Sequence, residues 1–144
     1  MNRRLHLTLA LVLVFALTGA ARAKAPTPEE CALAGIKNPA QLTSFIANLQ
    51  KAVRNGDKAA VAAVVDYPIE VKLGGASRRI EDKAAFIENY DAIMTKAVRD
   101  AVLNQNMGDI FINRKGVMLT DGAGEGRIWL GVVSGSLCII TIIN

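Results

Sequence analysis

The chain of 144 residues contains a single histidine, His6, and only two cysteines, Cys31 and Cys138, and aromatic residues make up just 5% of it. Each scarcity excludes chemistry. With one imidazole placed before residue 24, the remainder of the chain has none for a Ser-His-Asp triad, a histidine proton shuttle or a histidine-ligated transition metal. A calcium loop of the D-x-D-x-D-G kind is missing, and so is the G-K-[ST] end of a phosphate-binding loop. No cofactor and no metal is expected.

What is present begins with an export signal. Met1 to Arg4 is short and basic, Leu7 to Gly19 is uncharged and mostly apolar, and Ala21-Arg22-Ala23 has the small-x-small form of a signal-peptidase site. The apolar run is shorter than the roughly 20 residues of a spanning helix. We therefore expect residues 1–23 to be a signal peptide cleaved after Ala23, a periplasmic or secreted location, and no stable membrane insertion afterwards. Cleavage removes Arg3, Arg4 and Arg22, which lowers the formal charge from +4 to +1. The basic balance thus belongs mainly to the signal, and no nucleic-acid partner is expected. An exported chain meets an oxidising compartment, so a Cys31–Cys138 disulfide is expected, with a chain-entropy gain of about 4 to 5 kcal/mol for so long a loop.

Residues 24–38 read as a lead-in and residues 39–144 as one domain. Asn38-Pro39-Ala40-Gln41 offers an N-cap, a proline at the first helical position and a glutamine three residues past the cap. Leu42, Phe45, Ile46, Leu49 and Val53 then recur at helical spacing up to the Asn55-Gly56 stop. Asp57 can cap a second, alanine-rich helix through Val65, giving a helical hairpin. Ile69, Val71 and Leu73 alternate with polar residues as a strand does, and Gly74-Gly75 turns it toward an arm ending at Ile80. From Glu81-Asp82 a long helical pattern runs to Val102, with a break foreseen at Thr95. Four strands follow, over 110–113, 116–120, 126–133 and 137–143. The glycines of Gly122-Ala123-Gly124-Glu125-Gly126 have strands on both sides and acidic neighbours. They make a hairpin turn, where a nucleotide loop would need a following helix whose N-terminal amides face the phosphate.

This order of elements resembles the nuclear transport factor 2-like superfamily, also called SnoaL-like or cystatin-like cones. The likeness is carried by "FIANLQKAVRNGDKAAVAAVVDYPIEV", "IEDKAAFIENYDAIMTKAVRDAV" and "GVMLTDGAGEGRIWLGVV", and it covers Gln41 to Ile143. It implies an α+β fold in which a helical hairpin and a long helix pack on a strongly curved, mostly antiparallel sheet, forming a cone whose open end is a pocket. Superfamily enzymes use a strand carboxylate with tyrosine or acid donors, or a His-Asp pair. The second scheme lacks its histidine here, and for the first no motif assigns a catalytic position in this chain. The architecture hosts enzymes and non-enzymes alike.

Pocket candidates therefore come from residue type and position. Asp66 and Tyr67 stand where the hairpin enters the first strand, and Tyr90 shares a helix face with Phe86. An aspartate beside a tyrosine can act as a general base with a hydrogen-bond donor, but Asp66 can equally stop a helix and Tyr90 can be core with a wet tip. Trp129 alternates with Ile128 and Leu130, so either it or its neighbours face the helices. The leading expectation is a non-catalytic binding module for a small molecule or an envelope component. The alternatives are an immunity or inhibitor protein acting on an envelope protein, or a lyase or isomerase using Asp66 with Tyr67 or Tyr90. Leu137 to Ile143 is apolar except at Thr141, so both faces of the last strand are apolar and a homodimer through the outer face of the meander is expected.

Overall fold

The computed structural model describes residues 24–73 and 75–144. The signal expected over residues 1–23 lies outside the described residues, as does Gly74 of the expected glycine turn. The described residues form an α+β architecture of six helices and a six-stranded mixed sheet that is not closed. No described helix is long and apolar enough to cross a membrane.

The first helix falls in the expected lead-in. α1 (Pro28–Leu33) opens with a capping box in which Thr27 accepts from the Glu30 amide while the Glu30 carboxylate accepts from the Thr27 amide at 2.8 Å. α2 (Pro39–Arg54) starts as the sequence predicts: Asn38 accepts from the Gln41 amide at 2.9 Å, with Pro39 at the first position. It buries Leu42, Ile46, Leu49 and Val53 on one stripe. Asp57 caps α3 (Lys58–Ala62), which stops short of the expected Val65 because Val65 already bridges Ile139 of the sheet.

The long helix is three. α4 (Lys83–Glu88), α5 (Tyr90–Ile93) and α6 (Lys96–Leu103) succeed one another with breaks at Asn89 and at Met94-Thr95. The Asn89 side-chain amide donates to the Ala85 carbonyl at 2.8 Å, and Thr95 starts α6 afresh by accepting from the Val98 amide. The apolar residues keep their common side across both breaks, with Phe86, Tyr90, Ile93, Met94, Val98 and Val102 all buried in one core. The breaks divide the segment and leave its apolar period intact.

The strands are β1 (Ile69–Leu73), β2 (Ala76–Ile80), β3 (Phe111–Asn113), β4 (Gly116–Thr120), β5 (Arg127–Val133) and β6 (Ser136–Ile143), in the order β2-β1-β6-β5-β4-β3. All neighbours are antiparallel except β1 and β6, which run parallel with Val71 opposite Ile142. One face carries Val117, Leu119, Ile128, Leu130, Ile139 and Ile142, each no more than 1% exposed, against the helices. The pairing of β5 with β6 slips between Trp129 and Leu130, which leaves Ile140 as the extra residue of a bulge.

Both cysteines are free thiols, so the expected Cys31–Cys138 bridge is not formed in the structure. Strand geometry gives the reason. Cys31 is buried in the core on the helix side, while Cys138 alternates with the core residues Leu137 and Ile139 and so belongs to the opposite sheet face. Burial pushes both thiols above their ordinary pKa, helped by Glu30 at Cys31 and by Asp66 at Cys138.

Candidate functional site

The four residues singled out by their chemistry occupy three different places. Tyr67 and Tyr90 flank Phe86 in the core, their rings edge-on to it with centroids 6.2 and 6.1 Å away. The Tyr67 hydroxyl donates to the Ala62 carbonyl at 2.9 Å, locking the end of α3 to the approach of β1. Burial, with a smaller push from Asp82, raises its pKa to about 12. Tyr90 is 3% exposed and its hydroxyl has no hydrogen-bond partner among the described residues. Its pKa is raised by burial, against a lowering from Arg99, with Asp91 and Asp57 adding to the rise. Lys58 reaches over its ring, 5.3 Å from the centroid, and pairs with Asp91 at 2.8 Å.

Asp66 stands apart from this trio in its interactions. Its amide donates to the Ile139 carbonyl at 2.9 Å, and its charge acts on the Cys138 thiol. For Trp129 the alternation is resolved: Ile128 and Leu130 are fully buried against the helices, and Trp129 is half-buried on the outer face, opposite Met118 and Thr141. There it meets Phe111 edge-on at 6.3 Å, and Phe111 is 50% exposed.

A cleft among the described residues lies elsewhere, where the end of β1, the α5–α6 junction, the β4–β5 turn and the end of β6 converge. It measures about 610 Å³. Its apolar walls are Leu73, Ala92, Ala97 and Ile143, and its polar groups are Thr95, Glu125, Arg127 and Asn144. None of the four sequence candidates lines it. Close contact builds it: Gly126 lies so near the start of α6 that a Cβ there would sit 2.2 Å from the Ala97 carbonyl carbon and oxygen. The turn before it is tied by the Asp121 carboxylate, which accepts from the Gly124 amide at 2.7 Å. On the other side Asn144 donates to the carbonyls of Ala92 and Ile93, fastening the end of β6 to α5.

Arg127 adjoins the cleft from β5, and strand alternation puts its side chain on the same sheet face as Trp129. It is the one cation among the lining residues, its Nε is buried without a hydrogen-bond partner, and it joins no ion pair among the described residues. Thr95 accepts from the Val98 amide and keeps its own hydroxyl proton for another acceptor. A second, wholly different groove of about 310 Å³ runs between α2 and α3, walled by Phe45, Leu49, Ala52 and Val64. Among the described residues no group of three side chains is placed to hold a metal.

The cleft has no chemical signature in the sequence beyond the Gly126-Arg127 pair, because its walls are small and aliphatic residues from four separate segments. No family model, no curated protein and no solved structure matches the chain.

Proposed function

We propose that the protein is an exported, non-catalytic binding module of the cone-like, nuclear transport factor 2-like kind, which takes a small molecule in the cleft between β1, α5–α6 and the β4–β5 turn. The observation that carries the reading is the cleft itself. Its volume of about 610 Å³ falls within the usual range for small-molecule sites, and it combines mainly apolar walls with a few polar groups. The strand order, with a parallel β1–β6 pair inside an otherwise antiparallel sheet, supports the cone-like reading.

A protein-interaction role, of the immunity or inhibitor type toward an envelope protein, draws on a different observation. The outer sheet face brings together Phe111, Met118, Trp129 and Ile140, of which Phe111 is exposed and the others half-buried. The lyase or isomerase reading has less behind it, since the Tyr67 hydroxyl is already engaged and neither Asp66 nor a tyrosine reaches the cleft.

Native mass spectrometry of the protein purified from the exported fraction tests the proposal, followed by amide mapping of any small molecule it retains or of a fragment set. Saturable shifts at Ala92, Ala97 and Gly126 are expected. Fragments that bind only at the outer sheet face, or catalytic turnover abolished by Asp66→Asn, would overturn it.

A further inference from the structure

We infer that β2 is the docking edge for an extended, acidic segment of a partner protein, which adds to the sheet as a seventh strand and sets one carboxylate against Arg78 and a second against Arg79. The inference is independent of the cleft. β2 ends the order β2-β1-β6-β5-β4-β3, so one of its flanks has no strand beside it. A strand in an antiparallel ladder turns the N–H and C=O of alternate residues to opposite sides, and those on the outer flank of β2 are open to another chain. Five consecutive residues pair with β1 in unbroken register, from Ile69 opposite Ile80 to Leu73 opposite Ala76, so no bulge interrupts that flank. Ala76, Ser77, Arg78 and Arg79 are exposed, and β1 is the element that packs extensively on β2. The opposite edge is less suited, since β3 has three residues and lies against α1.

Charge decides what the edge accepts. The register places Arg78 opposite Val71, on the helix side of the sheet, and Arg79 opposite Glu70, on the outer side. Arg78 joins no ion pair among the described residues. Arg79 donates to Glu81 through Nε at 2.9 Å, an exposed pair that leaves the two terminal nitrogens of its guanidinium for another acceptor. Lys72, on the neighbouring strand, adds a third cation without an ion pair among the described residues. Successive positions of an added strand face opposite sides, so two consecutive acids meet Arg78 and Arg79 together. Opposite charges across a ladder favour pairing, and like charges oppose it. Two copies joined edge to edge would juxtapose these arginines, so a second copy of the chain is disfavoured, as is a basic segment. Charged edges guard against indiscriminate pairing. A cationic edge keeps that protection toward its own copies while admitting a partner of the opposite sign.

The test titrates the purified protein with three capped peptides: Thr-Val-Glu-Glu-Val-Thr, its counterpart with both acids replaced by lysine, and the acidic peptide with its backbone amides N-methylated. The acidic peptide is expected to shift the β2 amides saturably in NMR spectra and to slow hydrogen exchange at alternate residues of Ala76–Arg79. It should bind about tenfold more tightly than the lysine peptide. The N-methylated peptide keeps the charges, lacks the ladder donors and should lose most of the affinity. Arg78→Glu combined with Arg79→Glu should reverse the preference between acid and lysine. Absence of a saturable shift at β2 with the acidic peptide at about millimolar concentration, equal affinities for acidic and lysine peptides, undiminished binding after N-methylation, or protection at β3 in place of β2 would each overturn the inference. The small-molecule reading depends on the cleft amides and survives all of these outcomes. Should the double variant fail to fold, the three peptides on the unsubstituted protein decide alone.

Discussion

Replacing Gly126 by alanine separates two opposed effects whose signs the structure fixes. Gly126 does not adopt a left-handed conformation, so in open space the alanine would stabilise the protein by about 0.4–1 kcal/mol through the unfolded chain. Space is absent. The new Cβ would lie 2.2 Å from the carbonyl carbon and oxygen of Ala97 and 2.6 Å from the Val98 nitrogen, against ordinary contacts of 3.4–4 Å. The obstructing atoms are backbone and cannot rotate away, so α6 or β5 must move by about an ångström. α6 carries Val98, Ala101 and Val102, all fully buried, and shifting it disturbs each of their contacts. Overpacking of this kind costs about 1–3 kcal/mol, and its backbone origin puts it toward the top of that range. The net expectation is a loss of about 2 kcal/mol, or very roughly 5–10 °C in Tm for a domain of this size.

Urea unfolding followed by circular dichroism measures this as a lower midpoint at unchanged slope. Gly122→Ala is the control. Its Cβ would meet nothing within 4 Å, and only its φ of +83° resists, at a cost of about 1 kcal/mol. A Gly126→Ala protein as stable as the parent, alongside a weakened Gly122→Ala protein, would refute the close approach of β5 to α6 and with it the wall of the cleft.

Three further outcomes are expected. Absorbance titration should find tyrosine ionisation displaced upward. With the Tyr67 pKa at about 12 against an ordinary value of 10.0, the folded state holds its proton longer than the unfolded state, so this stabilisation is complete below pH 10 and is lost as the pH rises toward 12; rising stability over that interval would contradict the burial. Alkylation of unreduced, unfolded protein should modify both Cys31 and Cys138, and a mass lacking both adducts would reinstate a bridge between them. Sedimentation equilibrium at about tens of micromolar should give a dimer that Ile140→Lys dissociates, because the charge lands on the outer face beside Gly131; a parent protein that sediments as a monomer removes the dimer.

Local signals were the legible part of the fold. Asn38 and Asp57 cap the helices the sequence assigns to them, and all six strands lie within a residue or two of their expected positions, since caps and period-two alternation depend only on near neighbours. Thr27-Pro28-Glu29-Glu30 was an equally good helix start inside a segment read as lead-in. The division of α4, α5 and α6 was harder to foresee, because three short helices packed on one core present the same apolar period as one continuous helix. Thr95 gave a sign of one break, and Asn89 marks the other only through its side-chain bond to Ala85. The parallel pairing of β1 with β6 joins segments about seventy residues apart and leaves no local trace.

The site was less legible for a physical reason that the aromatic residues make plain. Tyr67, Tyr90 and Trp129 attract attention because they carry hydroxyl, indole and π chemistry, yet each also brings a large apolar body, and burial of that body governs where it goes. Tyr67 and Tyr90 accordingly pack on Phe86, while Trp129 packs on Phe111. A cleft forms instead where bulk is lacking: at Ala92, Ala97, Gly124 and Gly126, small residues that leave room between a helix start and a strand end. Arg127 follows directly on the last of those glycines, so the residue that permits the close approach of the β4–β5 turn to α6 also fixes where the cation stands. In a chain poor in histidine and cysteine, that gap is made from ordinary residues. Its legibility therefore requires the tertiary contact between Gly126 and Ala97, which nothing in either local segment encodes.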